Sequence, residues 1–194
     1  VSLFSPKTVQ HGSEKIWLNL IQVDSLFFQT MGIPLIEGNA QDLSQPDALF
    51  LSESSARRIF GHDNAIGKTL RWQNKHELIV KGIFEDIPRN VTLHAEAVVS
   101  INHPWDGGSG RTWESGGNWP TFVRLKKGAD ITYINERINP IIGNYLATTS
   151  AFQNGSVKKV EVSLTPLKGY NMRNGKVSVM ITIVFILALA LILT

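Results

Sequence analysis

The stretch Ala48-Leu-Phe-Leu51-Ser52-Glu-Ser-Ser-Ala56-Arg-Arg-Ile-Phe60-Gly61 decides the fold class. Ala48 to Leu51 is a short apolar run of strand length. Ser52 follows as a candidate N-cap, because its hydroxyl can accept from an amide that the first helical turn leaves without a partner. Ala56, Ile59 and Phe60 then share one helical face, and Gly61 closes the turn. A strand that passes through a cap into a short amphipathic helix predicts an α+β domain of short elements.

The pattern continues outward in both directions. Downstream, Thr69 to Gln73 and Glu77 to Phe84 read as a hairpin around Asn74-Lys75. Upstream, Ile16 to Val23 reads as a strand. Asp24 or Ser25 then caps a short helix from Leu26 to Met31, which Gly32 ends. Ile33 to Ile36 is a short strand that Pro34 keeps near an edge. Residues 1–15 read as polar and irregular. Past the hairpin come a strand over Glu96 to Ile101, a loop rich in Gly and Trp from Asn102 to Pro120, and a strand over Thr121 to Lys126. Gly128-Ala-Asp130 is a turn and cap. It opens a helix carried by Ile131, Ile134, Ile138, Ile142 and Tyr145, which Pro140 must kink or break. Lys159 to Thr165 alternates most cleanly, with Val160, Val162 and Leu164 on one face.

Val177 to Thr194 contains no charge, no Gly and no Pro. As a helix it would span about 27 Å, close to the thickness of a bilayer's hydrocarbon core. It is expected to begin a transmembrane helix, and the chain is read as a segment of a longer membrane protein.

Composition narrows the function. The chain has 194 residues, 43% of them hydrophobic, so a packed core is within reach. The net charge of +3 is scattered, and its densest basic clusters are the pairs Arg57-Arg58 and Lys126-Lys127. A nucleic-acid partner needs a larger patch and is not expected. The absence of cysteine excludes disulfides and thiolate metal sites.

No motif carries catalysis. Gly61-His-Asp-Asn-Ala-Ile-Gly67-Lys68-Thr69 imitates a phosphate loop, but its glycines are one residue too far apart. It also follows a helix and opens a strand, the reverse of what a phosphate cradle needs, so it reads as a turn. The histidines His11, His62, His76, His94 and His103 show no metal-ligand spacing, and no G-x-S-x-G is present. Glu85 and Asp86 are adjacent on a strand end and point to opposite faces. The chain is expected to be non-enzymatic, with no cofactor and no metal. Trp105, Arg111, Trp113 and Trp119 share one Gly-rich loop and form the candidate contact surface for a ligand or partner. The competing reading has the indoles fold back over a sheet edge.

Several segments, in order, resemble one family. Val23-Asp-Ser-Leu-Phe-Phe-Gln-Thr-Met-Gly-Ile-Pro-Leu-Ile-Glu-Gly38 is similar to the D-x-x-F-F-x-x-x-G-I-P-L-x-x-G opening of MacB-like periplasmic core domains, found in ABC transporter permeases. Ser52 to Gly61, followed by Ala65-Ile-Gly-Lys-Thr-Leu70, resembles their N-E-x-x-A-x-x-x-F-G and I-G-K-x-L signatures, with Ser52 where Asn is usual. Val80-Lys-Gly-Ile-Phe-Glu-Asp-Ile-Pro88 resembles V-x-G-V-x-x-D-x-P. Asn118-Trp to Gly128, then Leu164-Thr-Pro-Leu167, resembles the closing half, whereas Val91-Thr-Leu-His94 departs from the usual Ser-x-His.

The resemblance implies two small mixed lobes after an N-terminal segment, residues 1–15. One is a β-rich inserted lobe, residues 16–90, and the other a βαβ-like lobe, residues 91–172. Residues 173–194 would be a linker and the start of the transmembrane helix. It further implies an extracytoplasmic domain of an inner-membrane permease that couples ATP-driven helix motion to substrate or partner handling. The expected partners are the membrane, a cytoplasmic ATPase (separate or fused), a second permease copy or a paired permease, and a periplasmic or outer-membrane protein. The competing function is a membrane-anchored binding or sensor module without a transport role.

Overall fold

The computed structural model describes residues 5–72, 76–88, 93–104, 121–155, 162–164 and 166. The chain divides into two compact units, Val1–Leu125 and Lys126–Thr194. The described residues are of mixed α/β class with few helices.

The first unit contains β1 (Ser5–His11), β2 (Glu14–Val23), α1 (Phe27–Met31), β3 (Leu35–Gly38), a 3-10 turn (Ala40–Ser44), β4 (Ala48–Ser52), α2 (Glu53–Phe60), β5 (Thr69–Trp72), β6 (His76–Phe84) and β7 (Ala97–Ser100). The seven strands pair in the order β3-β6-β4-β7-β2-β1-β5, and β5 pairs with β6 as well. That last pairing closes β1, β2, β7, β4, β6 and β5 into a ring, with β3 outside it as an added edge. One edge of β6 is shared: His76 to Ile79 face β5, and Gly82 to Phe84 face β3. β7 pairs parallel with β2 and antiparallel with β4, so residues 97–100 belong to the sheet of the first unit.

Alternation along each strand separates two cores. Val9, Leu18, Leu20, Leu49, Leu51, Leu70, Trp72, Leu78, Val80, Ala97 and Val99 come from all six ring strands and cluster together, as the filled interior of a small barrel requires. Ala56 and Phe60 of α2 join them. The outward residues Ile21, Ala48, Phe50, Phe84 and Val98 pack with Phe27 and Phe28 of α1 and with Leu43. A five-residue helix has no stability of its own; α1 holds because Phe28 sits 5.3 Å from Phe50 and 5.6 Å from Phe84, ring to ring.

A bulge reconciles the two cores. Leu49 pairs with Val80 but Phe50 pairs with Gly82, leaving Lys81 as an extra residue. Before the bulge Leu78 and Val80 point inward; after it Ile83 does, and Phe84 turns to the outer core. Gly82 is required there, since a Cβ would strike the Phe50 ring and lie 2.8 Å from the Glu37 carbonyl.

Most expected elements are present. Ser52 caps α2, its hydroxyl accepting from the Ser55 amide, so serine does the capping that asparagine would do. Gly32 ends α1 in the left-handed conformation at φ 70°. β3 is an edge strand that begins just after Pro34.

Four expectations fail within the described residues. Neither Asp24 nor Ser25 caps α1, whose N-cap position is Leu26 and carries no side-chain cap bond. Residues 162–164, inside the alternating stretch 159–165, form no strand. Residues 5–11 are not irregular but form β1, which pairs with β2 across the Gly12-Ser13 turn and with β5 on its other side. Among residues 7–11 only Val9 is fully buried, so the inward-facing pattern was a single apolar residue. Residues 121–126 form no strand, and Val123 and Leu125 are exposed.

In the second unit, α3 (Ile131–Leu146) is followed by α4 (Ser150–Gln153). Asp130 caps α3 through its carboxylate, which accepts from the Thr132 and Tyr133 amides at 2.8 and 3.2 Å. The helix continues through Pro140. The missing amide of Pro140 deprives the Glu136 carbonyl of its partner; both residues lie on the exposed side, where water can take that bond. No helix among the described residues is long and apolar enough to cross a membrane, and residues 177–194, on which that expectation falls, lie outside the described residues.

Candidate contact surface

Trp105, Arg111, Trp113 and Trp119 also lie outside the described residues. What the structure describes is the ground from which their segment departs, residues 100–104, and to which it returns, residues 121–125.

The departure point is stapled. β7 ends at Ser100, whose buried hydroxyl donates to the Leu43 carbonyl at 2.6 Å. Asn102 donates its side-chain amide to the Ser44 carbonyl at 3.1 Å. His103 Nδ1 lies 2.7 Å from the Pro46 carbonyl; a carbonyl only accepts, so Nδ1 carries the proton. Three side chains within four residues thus grip the end of the 3-10 turn and the stretch that links it to β4. Leu43, fully buried, pins the turn to the outer core. Gln22 adds side-chain bonds to the Ser100 and His103 carbonyls, each at 3.4 Å. At the return point Arg124 donates to the Gln29 carbonyl of α1 at 2.8 Å.

An aromatic group sits beneath the departure point. Trp72, almost fully buried in the barrel, lies 5.9 Å from His76 and 5.7 Å from His103, ring to ring, and the two imidazoles are 5.0 Å apart, edge to face. Residues 76 and 103 are distant in sequence, and no spacing rule could have paired them. Among the described residues no three His, Cys, Asp or Glu side chains are placed to hold a metal ion.

The remaining motifs resolve into structure. In the phosphate-loop imitation, the Gly67 amide donates to the Val80 carbonyl at 2.8 Å and so belongs to the edge of β6. Lys68 is paired with Asp63 at 2.9 Å and lies over the Phe60 ring. That hydrogen bond and charge hold the Asp63 carboxyl below the usual range. Asp86 reaches across to the start of α2, accepting from the Ser54 hydroxyl at 2.8 Å and the Ser54 amide at 3.1 Å. Burial pushes its carboxyl up, but the bonds from Ser54 and Ser52 and the charge of Arg57 outweigh this and hold it below its ordinary value. The acid of the V-x-G-V-x-x-D-x-P pattern therefore caps the helix of the N-E-x-x-A pattern, where a carboxylate also suits the positive end of the helix.

The geometry can be set beside known proteins. Among solved structures, the chain is similar to a domain assigned to a permease protein from Porphyromonas gingivalis, with 22% identity, a TM-score of 0.58 and coverage of 77% of this chain and 69% of that one. It is also similar to the periplasmic region of MacB from Actinobacillus actinomycetemcomitans, with 18% identity, a TM-score of 0.51 and coverage of 73% and 64%. These likenesses are of fold. No curated protein matches significantly in sequence. The sequence profile of the MacB-like periplasmic core domain matches residues 1–141, from β1 into α3. The chain belongs to the family of MacB-like periplasmic core domains.

Proposed function

We propose that this chain is the extracytoplasmic domain of an ABC-type permease in the inner membrane, and that it couples ATP-driven motion of membrane helices to the handling of a substrate or partner in the periplasm. The observation that carries the reading is the family match over residues 1–141. The apolar run Val177 to Thr194 supplies the connection to the membrane. ATP is hydrolysed by a cytoplasmic ATPase, separate or fused, and the permease works as a homodimer or beside a paired permease. Trp105, Arg111, Trp113 and Trp119 form the contact surface for a periplasmic or outer-membrane partner. The staples at Ser100, Asn102, His103 and Arg124 support this assignment, because a contact segment transmits force only from a fixed base.

The test uses the absence of cysteine in the chain. In the full-length permease, a cysteine replacing the exposed His62 should react with a membrane-impermeant maleimide added outside the inner membrane; labelling only from the cytoplasm overturns the location. A spin label at the same position, in nanodiscs with the ATPase, should change its spectrum with ATP and vanadate. An unchanged spectrum overturns the coupling.

A further inference from the structure

On α3, Asn135 and Asn139 stand one helical turn apart and both reach the stretch at residues 162–164. Asn139 Oδ1 accepts from the Val162 amide at 2.8 Å, and its Nδ2 donates to the Val162 carbonyl at 2.9 Å. The same Nδ2 donates to the Asn135 carbonyl at 3.0 Å, so the oxygen and both amide hydrogens of Asn139 are used. Asn135 Oδ1 accepts from the Leu164 amide at 2.7 Å. The orientation of the Asn139 amide is fixed by its partners, since an N–H only donates and a carbonyl only accepts.

The spacing explains why two asparagines suffice. Four residues of α-helix rise about 6 Å, and two residues of extended chain rise about 6.7 Å. Side chains at i and i+4 of a helix therefore meet every second amide of an extended segment running antiparallel to it. Val162 and Leu164 are partly buried and Ser163 is exposed, as that register demands. The contacts are to backbone, so they read conformation and not side chains. Pro166, two residues past Leu164, has no amide and cannot extend the ladder.

We propose that Asn135 and Asn139 form a backbone-reading clamp on α3 that latches the segment 162–164 of the same chain. The clamp passes displacement of the chain beyond it to α3. This transmission role rests on the coupling described under Proposed function; the clamp itself does not.

The two asparagines are not equivalent, and this gives the test. Asn135 serves Leu164 only as an acceptor, so N135D keeps its bond. Asn139 needs its donor, so N139D sets a carboxylate oxygen against two carbonyls. In the full chain in nanodiscs, exchange of the Val162 and Leu164 amides is followed by NMR. N139D and N139L should speed exchange at Val162 by about tenfold. N135L should do the same at Leu164, and N135D should leave it near wild type. Equal effects of N135D and N139D, or unchanged exchange in N139L, overturn the clamp. For transmission, a spin label on an Arg137→Cys variant of the full-length permease should respond to ATP and vanadate, and N139L should abolish that response. A response that persists in N139L while Val162 exchanges faster overturns the transmission role and leaves the clamp. A label at position 62 that is silent to nucleotide in otherwise wild-type permease overturns the coupling, with the exchange result still standing.

Discussion

The barrel of the first unit and α3 of the second are held by different forces. In the barrel, twelve inward residues from six strands are almost entirely removed from water, and a second apolar layer covers the outside. Along the described residues of the second unit, only Leu146 and Thr149 are buried to that degree. There the specific contacts are side chain to backbone: Asp130 at the start of α3, then Asn135 and Asn139 along it. Each apolar side chain fully buried is worth about 1.5–3 kcal/mol, and each polar bond about 1 kcal/mol net. Along its described residues, then, the second unit is held by contacts that are individually weaker than those of the barrel, and contacts of that kind open at a lower cost.

This contrast can be broken at its strong end. Trp72→Ala empties the largest fully buried position of the barrel. It should cost about 3–5 kcal/mol, read as a lower urea midpoint of the chain. A loss below about 1 kcal/mol would mean that the interior is not packed as described.

The polar end gives smaller effects. Asp130→Ala removes both cap bonds of α3. It should cost about 1 kcal/mol, confined to that helix, with faster exchange of the Thr132 and Tyr133 amides; unchanged exchange would remove the cap from the account. Asp86→Asn is the mildest, because its carboxylate is largely solvated and its bonds are screened, so about a few tenths of a kcal/mol are expected. The sign with pH is definite. The folded carboxyl titrates below its ordinary value, so its contribution is complete above about pH 4 and disappears as pH falls through the lower folded value. The stability difference between wild type and Asp86→Asn should therefore shrink on acidification, and a difference that grows would contradict the bonding at α2.

Local chemistry made much of this legible. The Ser52 and Asp130 caps, the Gly32 stop and the β5–β6 hairpin follow from short-range rules, and each is present. β1 was missed because its inward face carries a single fully buried apolar residue among positions 7–11, so no periodic signal existed to find. The strand expected at 121–126 had alternation but pairs with no described strand, and alternation without a partner forms no ladder. The staples at Ser100, Asn102 and His103 left no trace in the sequence, because their acceptors are backbone carbonyls, which every residue carries.

By itself, then, the sequence determined which short segments become strands or helices and where many of them stop, since caps, turns and side-chain alternation act within a few residues. It also determined the family, through the order of its motifs. Only the tertiary structure decided that six strands close into a ring, that the Lys81 bulge moves Phe84 to the outer core, and that His76 meets His103. Those outcomes depend on contacts between residues far apart in the chain, whose free energy exists only once the backbone has brought them together.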